Sequence, residues 1–347
     1  MSRRQEMVAA LQRMTSLDQP QNQTGAEVAA DIALGFTPLA VPQSARDFER
    51  SRRQGDKLGM LLAGVGMVPV VGGLVKGGKT AIKTIDKAIE GRYFDRLAKD
   101  YEGLKAAYAA IPETKGGKVL NTDTARELSP DYLADRTRSA DVHEPSSAFI
   151  KRVFAERMAQ PTPPGKEPLV VFTAGGTGAG KTSGLKGLRE ADPRIDRAEL
   201  EYDTNMNKFS SAKEKVDEVL KSGRRAQVFF TYRNPVESLD QGALTRAMDQ
   251  EAQFGTGRTV PITEHLNTHI GSRDVMEKLQ KEYGDNPNFR LVVIDNSRGR
   301  GNAVVSSLDK LPKLDENKVR DELHQALEKA RAEKRISEKV YRGFATY

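Results

Sequence analysis

Gly175-Gly176-Thr177-Gly178-Ala179-Gly180-Lys181-Thr182 is the part of this 347-residue chain whose residue types and spacing point most directly to chemistry. It spells G-x-x-x-x-G-K-[ST], in which small residues let successive backbone N–H groups turn inward around an anion. A helix starting near Lys181 adds its positive end to the same place. A lysine after such a nest meets the outer phosphates of a nucleotide, and the hydroxyl of Thr182, followed by Ser183, is placed to ligate Mg²⁺. The apolar run Leu169-Val170-Val171-Phe172 ahead of the glycines reads as a buried strand, so the loop joins a strand to a helix. The expected cofactors are therefore ATP and Mg²⁺.

Binding phosphate is not yet transferring it, and transfer needs further groups. Asp203, in Glu201-Tyr202-Asp203-Thr204-Asn205, closes a weak strand at 198–202, at the sheet edge where ligands of such folds collect. A carboxylate there takes a proton from a substrate hydroxyl or holds Mg²⁺ through water; the plain alternative is a helix cap. Arg246 lies in the helical stretch SLDQGALTRAMDQ and Arg258 in the loop GTGRTVP, and arginines near a terminal phosphate stabilise the transferring group. Solvated surface arginines are the bland reading of both. His265 and His269 have the i, i+4 spacing of a metal pair, but a third ligand and the H-E-x-x-H order are both missing. Following Arg258 directly, they are placed to line an acceptor pocket. Asn296, in Asp295-Asn296-Ser297, either contacts a nucleobase or belongs to a turn.

The elements that must position these residues follow from periodicity. Apolar runs at 198–202, 226–232 and 289–295, separated by helical stretches, predict an α/β fold: a P-loop NTPase-type parallel sheet with helices on both faces. A mostly helical N-terminal domain precedes it. Four segments are expected: a helical domain over 1–110, a polar linker and helix over 111–165, the phosphate-loop domain over 166–310, and charged C-terminal helices over 311–347 that read as a solvated appendage. Residues 88–110 predict one amphipathic helix with Tyr93, Leu97, Tyr101, Leu104 and Tyr108 on its core stripe. The run 58–75 has eighteen residues without a charge, but five glycines and Pro69 break it into a bent hairpin, buried or in contact with a membrane.

The glycine loop, Asp203-Thr204 and the arginine pair together resemble the zeta toxin kinases over roughly residues 168–300. That resemblance implies a phosphotransferase in which Lys181 and Thr182 hold ATP and Mg²⁺, Asp203 is the base, and Arg246 and Arg258 clamp phosphates. Characterised members phosphorylate a UDP-linked amino sugar, and an antitoxin accompanies them. The stretch from Asn205 to Arg225 has room for only one helix, so the strand that carries the family's Glu-Gly-Thr-Gly-Arg substrate motif is missing here. FTAGGTGAGKTSGL, GRTVP and VVIDNS are shared with compact zeta-like domains of phage and mobile-element proteins. The GFTP and GMVPVVGGLVKGGK stretches loosely resemble pre-toxin modules, which implies delivery or packaging.

Two function classes lead, ahead of an NTPase moving nucleic acid or protein, for which no second catalytic carboxylate pair follows an apolar strand. One is an ATP-dependent phosphotransferase acting on a small hydroxyl-bearing acceptor such as a sugar nucleotide. The other is a virion or ejection protein in which the loop binds nucleotide or is vestigial. A formal charge of +7 favours anionic company, yet the basic residues are spread out and lack interleaved aromatics, so nucleic acid is not supported. The absence of cysteine excludes disulfides and thiolate chemistry. Ser2-Arg3-Arg4-Gln5-Glu6 opens a polar helix rather than a secretion signal, so a cytoplasmic or virion-associated location is expected, with an antitoxin or virion component as partner.

Overall fold

The computed structural model describes residues 78–299 and 302–345. The uncharged run 58–75 and the segment resembling pre-toxin modules lie outside the described residues. The chain divides into two compact units between Val153 and Phe154.

In the first unit, helix α1 (Gly78–Lys99) is followed by α2 (Tyr101–Ala110). The single helix predicted over 88–110 is thus two. Asp100 leaves helical geometry (φ −140°, ψ 52°) and its carboxylate caps α2 by accepting from the Gly103 N–H. The tyrosine stripe nevertheless faces inward. Tyr93, Leu97, Tyr101, Leu104 and Tyr108 are all buried, and Tyr101 and Tyr108 meet Phe149 edge-on at 6.0 and 5.4 Å. Their hydroxyls serve the turn-rich segment that follows: Tyr93 donates to Ala125 O (2.7 Å) and Tyr108 to Val119 O (2.9 Å). That segment contains a three-residue strand, β1 (Val119–Asn121), and leads into α3 (His143–Ala159).

In the second unit, alternation of strand and helix gives β2 (Glu167–Ala174), α4 (Lys181–Ala191), β3 (Ala198–Asp203), α5 (Phe209–Lys221) and β4 (Arg225–Tyr232). A helical run from Pro235 then ends in α6 (Thr245–Phe254), followed by α7 (Ile262–Tyr283), β5 (Phe289–Asp295) and β6 (Val304–Ser306). Helices α8 (Glu316–Ala332) and α9 (Glu338–Ala345) close the chain. The strands of this unit lie in the order β3-β2-β4-β5-β6. The first four are parallel, and β6, which the sequence did not announce, pairs antiparallel with β5. The phosphate-loop strand β2 therefore sits between β3 and β4, so residues leaving either neighbour at its carboxyl end meet the loop.

The C-terminal helices are not the solvated appendage expected of them. Val319, Leu323, Leu327, Val340 and Phe344 join Leu244, Ala247, Val260 and Ile262 in one buried cluster. They back the segment that carries both arginines. An ideal Cβ on Gly343 of α9 would lie 2.3 Å from the Thr259 hydroxyl, next to Arg258.

The acids that weakened the β3 strand signal are buried and paired. Glu199 accepts from Arg224 at 2.7 and 3.0 Å, with both side chains under 5% exposed, and the same guanidinium bonds Gln160 O at 2.6 Å. Removing one partner strands a buried charge, which costs about 3–5 kcal/mol. Arg224→Ala should lower the unfolding free energy by that amount in a denaturant titration, whereas pairing Arg224→Met with Glu199→Gln should restore part of it.

Candidate functional site

The chain enters the site along β2 and leaves it along α4, and the loop between them turns left-handed at Gly178 (φ 77°) and Gly180 (φ 89°). Its shape is fixed from four directions. From beyond β3, the Asn205 carbonyl accepts the Gly175 N–H (3.1 Å). From α7, Thr268 Oγ1 accepts the Thr177 N–H (3.1 Å), while His269 Nε2 donates to Thr177 O (3.0 Å). From beyond β5, Asn296 Nδ2 donates to Ala179 O (2.9 Å). From the helical run after β4, the backbone at Ser238 and Gly242 packs against Gly178, where an ideal Cβ on Gly242 would fall 2.7 Å from Gly178 O.

Lys181 Nζ donates to Asn205 Oδ1 (2.6 Å) and to the carbonyls of Gly175 (3.0 Å) and Gly176 (3.3 Å). The ammonium group thus lies at the loop's own backbone, beside the end of β3. Thr182 and Ser183, on the first turn of α4, are exposed. Asp203 is the last residue of β3 and stands in register with Thr173 of β2. The Thr173 hydroxyl donates to the Asp203 carboxylate and accepts from Thr204 N (3.3 Å), so it fixes the carboxylate's direction. Asp203 caps no helix, because α5 begins six residues later, at Phe209.

Arg246 sits on α6 just past a π-helical segment, Leu239–Leu244, which interrupts the helical run. Such a segment inserts extra backbone into a helix and is frequent at functional sites. Arg258 is held to α6: its N–H donates to Gln250 Oε1 (2.9 Å), and an ideal Cβ on the preceding Gly257 would reach 1.9 Å from Ala247 O. The loop bearing Arg258 is therefore pressed onto the helical turn bearing Arg246.

His265 and His269 do not stand where an acceptor pocket was expected. They are 0% and 4% exposed, with ring centroids 4.7 Å apart and planes tilted by 43°, and are directed at backbone: His265 Nε2 donates to Pro235 O (2.9 Å), as His269 does to Thr177 O. The His269 ring lies 2.3 Å from where a Cβ on Gly176 would be, so it fills the space under the loop. Asn296 likewise spends its amide on the loop, a positioning role in place of base recognition. Thr173, Asn205 and Thr268 were not singled out from sequence, although Asn205 closes the Asp203 stretch and Thr268 lies between the two histidines.

Burial holds both imidazoles neutral. His265 is lowered to about 4, by burial first and then by the charges of Arg246 and Lys181, which places both cations near one ring. His269 is lowered well below 6.5 by burial and by His265. An unfolded chain protonates His265 near pH 6.5 and the folded chain does not until about pH 4, so folding stability falls as pH drops through that window, and His269 acts in the same sense. Thermal midpoints measured from pH 8 to 4.5 should be level with respect to these groups above 6.5 and decline below it. The decline should be shallower in His265→Gln.

Against known families, residues 195–305 match the family model described as Zeta toxin. The match runs from just before β3 through β6 and contains Asp203, Arg246 and Arg258. It supports a zeta toxin-like domain with P-loop kinase-like function. No curated protein matches the chain.

Proposed function

We propose that the second unit binds a nucleoside triphosphate, ATP with Mg²⁺, and transfers its terminal phosphoryl group to a hydroxyl of a small acceptor. One observation carries this reading. Asn205 joins the end of β3 to the glycine loop through its carbonyl, which takes Gly175 N–H at 3.1 Å, and through its side chain, which takes Lys181 Nζ at 2.6 Å. That link ties the end of β3, which carries Asp203 two residues earlier, to the loop and to the lysine proposed to meet the outer phosphates.

The residues present fit a nucleotide. The loop supplies backbone N–H groups between glycines of positive φ, Lys181 supplies a cation held at the loop, and Thr182 an exposed hydroxyl for Mg²⁺. When bound, Mg²⁺ neutralises charge on the outer phosphates. Asp203 takes the acceptor's hydroxyl proton as its oxygen bonds to phosphorus and the bond to the leaving diphosphate breaks. Arg246, on the helix whose preceding turn packs against Gly178, and Arg258, pressed onto the same helix, serve the charge on the transferring group.

The acceptor is not the family's amino-sugar nucleotide by default. Among the described residues β3 is followed by α5 and then directly by β4, so the strand that bears the acidic substrate motif has no counterpart. A smaller acceptor site is expected.

The test is purified chain with Mg²⁺ and γ-labelled ATP, offered a pool of nucleotides, sugars and sugar nucleotides. Label moving to a small molecule, and lost in Lys181→Ala, supports transfer. Nucleotide binding without transfer to any acceptor favours a virion or ejection component with a binding-only loop.

A further inference from the structure

The sheet's amino-terminal end, opposite the phosphate loop, carries an unbalanced set of donors. Arg290 of β5 stands in register with Gln227 of β4, and Arg225 lies two residues before Gln227, so all three project from one face. The same face carries Leu169, Val171, Phe229 and Val292, which pack with Ile195, so the short helix Arg194–Arg197 covers it. Gln227 is 7% exposed, and its Nε2 is buried with no hydrogen-bond partner. Arg290 is partly buried, and its side chain forms no hydrogen bond or ion pair among the described residues.

The neighbouring arginines have already taken the local carboxylates. Asp192 binds Arg194 at 3.0 Å through both nitrogens of its fork, and Glu167 is shared between Arg225 (3.1 Å) and Arg197 (3.4 Å). Neither Asp192 nor Glu167, which hold Arg194, Arg225 and Arg197, forms an ion pair with Arg290. A buried amide N–H₂ without a partner keeps its desolvation cost uncompensated, and a guanidinium among like charges adds repulsion. Both costs vanish if an oxyanion sits between them, since a guanidinium fork and an amide match its oxygens.

We propose that Arg290 and Gln227, flanked by Arg194 and Arg225, form a second anion site that takes a phosphate-bearing ligand, separate from the nucleotide site. Burial and the charges of Arg194 and Arg225 outweigh the opposing charge of Asp192 and hold Arg290 below the usual arginine range. The sites lie toward opposite ends of β4: from Gln227 to Tyr232 the strand advances about 17 Å at 3.3 Å per residue. The inference does not depend on the proposed phosphotransfer.

The experiment uses the full chain carrying Lys181→Ala, so that the phosphate loop contributes little, titrated with inorganic phosphate by calorimetry at fixed ionic strength. Binding is expected, at least tenfold weaker after Arg290→Ala and intermediate after Arg290→Lys. In phosphate-free buffer Arg290→Gln should raise the thermal midpoint, because it removes a repelled charge, and added phosphate should stabilise only the chain that keeps Arg290. A purely structural arginine would give the opposite sign in phosphate-free buffer. Equal phosphate affinity with and without Arg290, no binding at millimolar phosphate, or acetate binding as well as phosphate would each overturn the proposal.

Discussion

Asp203→Asn should lower the rate of phosphoryl transfer by about 10²–10⁴-fold, the contribution of a positioned general base, while ATP affinity changes by less than about threefold. The substitution is close to isosteric, and Thr173 can donate to an amide oxygen as it does to the Asp203 carboxylate. Asn205, which ties the strand end to the loop, is untouched. What is lost is the ability to take a proton from the acceptor hydroxyl. Steady-state rates beside equilibrium nucleotide binding separate the two effects. A variant that keeps more than a tenth of the wild-type rate would remove Asp203 from the mechanism.

Gly178→Ala should weaken nucleotide binding by on the order of a hundredfold, equivalent to about 2.7 kcal/mol. Two costs combine. At φ 77° an L side chain is strained by about 1–2 kcal/mol, and the new Cβ would lie 2.3 Å from Ser238 O and 3.2 Å from Ala243 N. Those neighbours are backbone of the helical run that leads to Arg246, so loop or helix must move. Gly180→Ala meets instead the tip of the Asn296 side chain (2.6 Å), which can rotate at the expense of its bond to Ala179 O, and its effect should be smaller. Gly165→Ala, with φ 76° and no atom within 4 Å, carries the backbone strain alone and should leave binding intact. Binding isotherms of the three variants should follow that order.

The sequence made the main architecture legible because each parallel strand is a short apolar run and the loop motif fixes where a strand must meet a helix. The strand at 289–295 spans the same residues as β5, and that at 226–232 falls one residue inside β4. Less visible was β3, whose Glu199 and Glu201 break the apolar run. Their partners Arg224 and Arg189 lie 25 and 12 residues away, beyond the reach of a local pattern. Strand β6 is three residues long and antiparallel, and nothing in Val304-Val305-Ser306 separates it from a loop.

At the site, residues that bear chemistry by type were legible, and those that hold the loop by position were not. Thr268 reaches Thr177 across 91 residues and Asn296 reaches Ala179 across 117, contacts that only the fold creates. The histidine pair shows the converse. Its i, i+4 spacing on α7 was read correctly as one face, but that face turned out to lie under the loop. Nothing in Leu239-Asp240-Gln241-Gly242-Ala243-Leu244 announces a π-helical turn, which follows from packing against Gly178.

The most direct test of the central claim is phosphorus NMR of the intact chain with ATP, Mg²⁺ and a panel of small hydroxyl-bearing acceptors. A phosphomonoester resonance that grows at the same rate as ADP is the predicted result. ADP accompanied only by inorganic phosphate, or ATP left unconsumed with every acceptor, would contradict it.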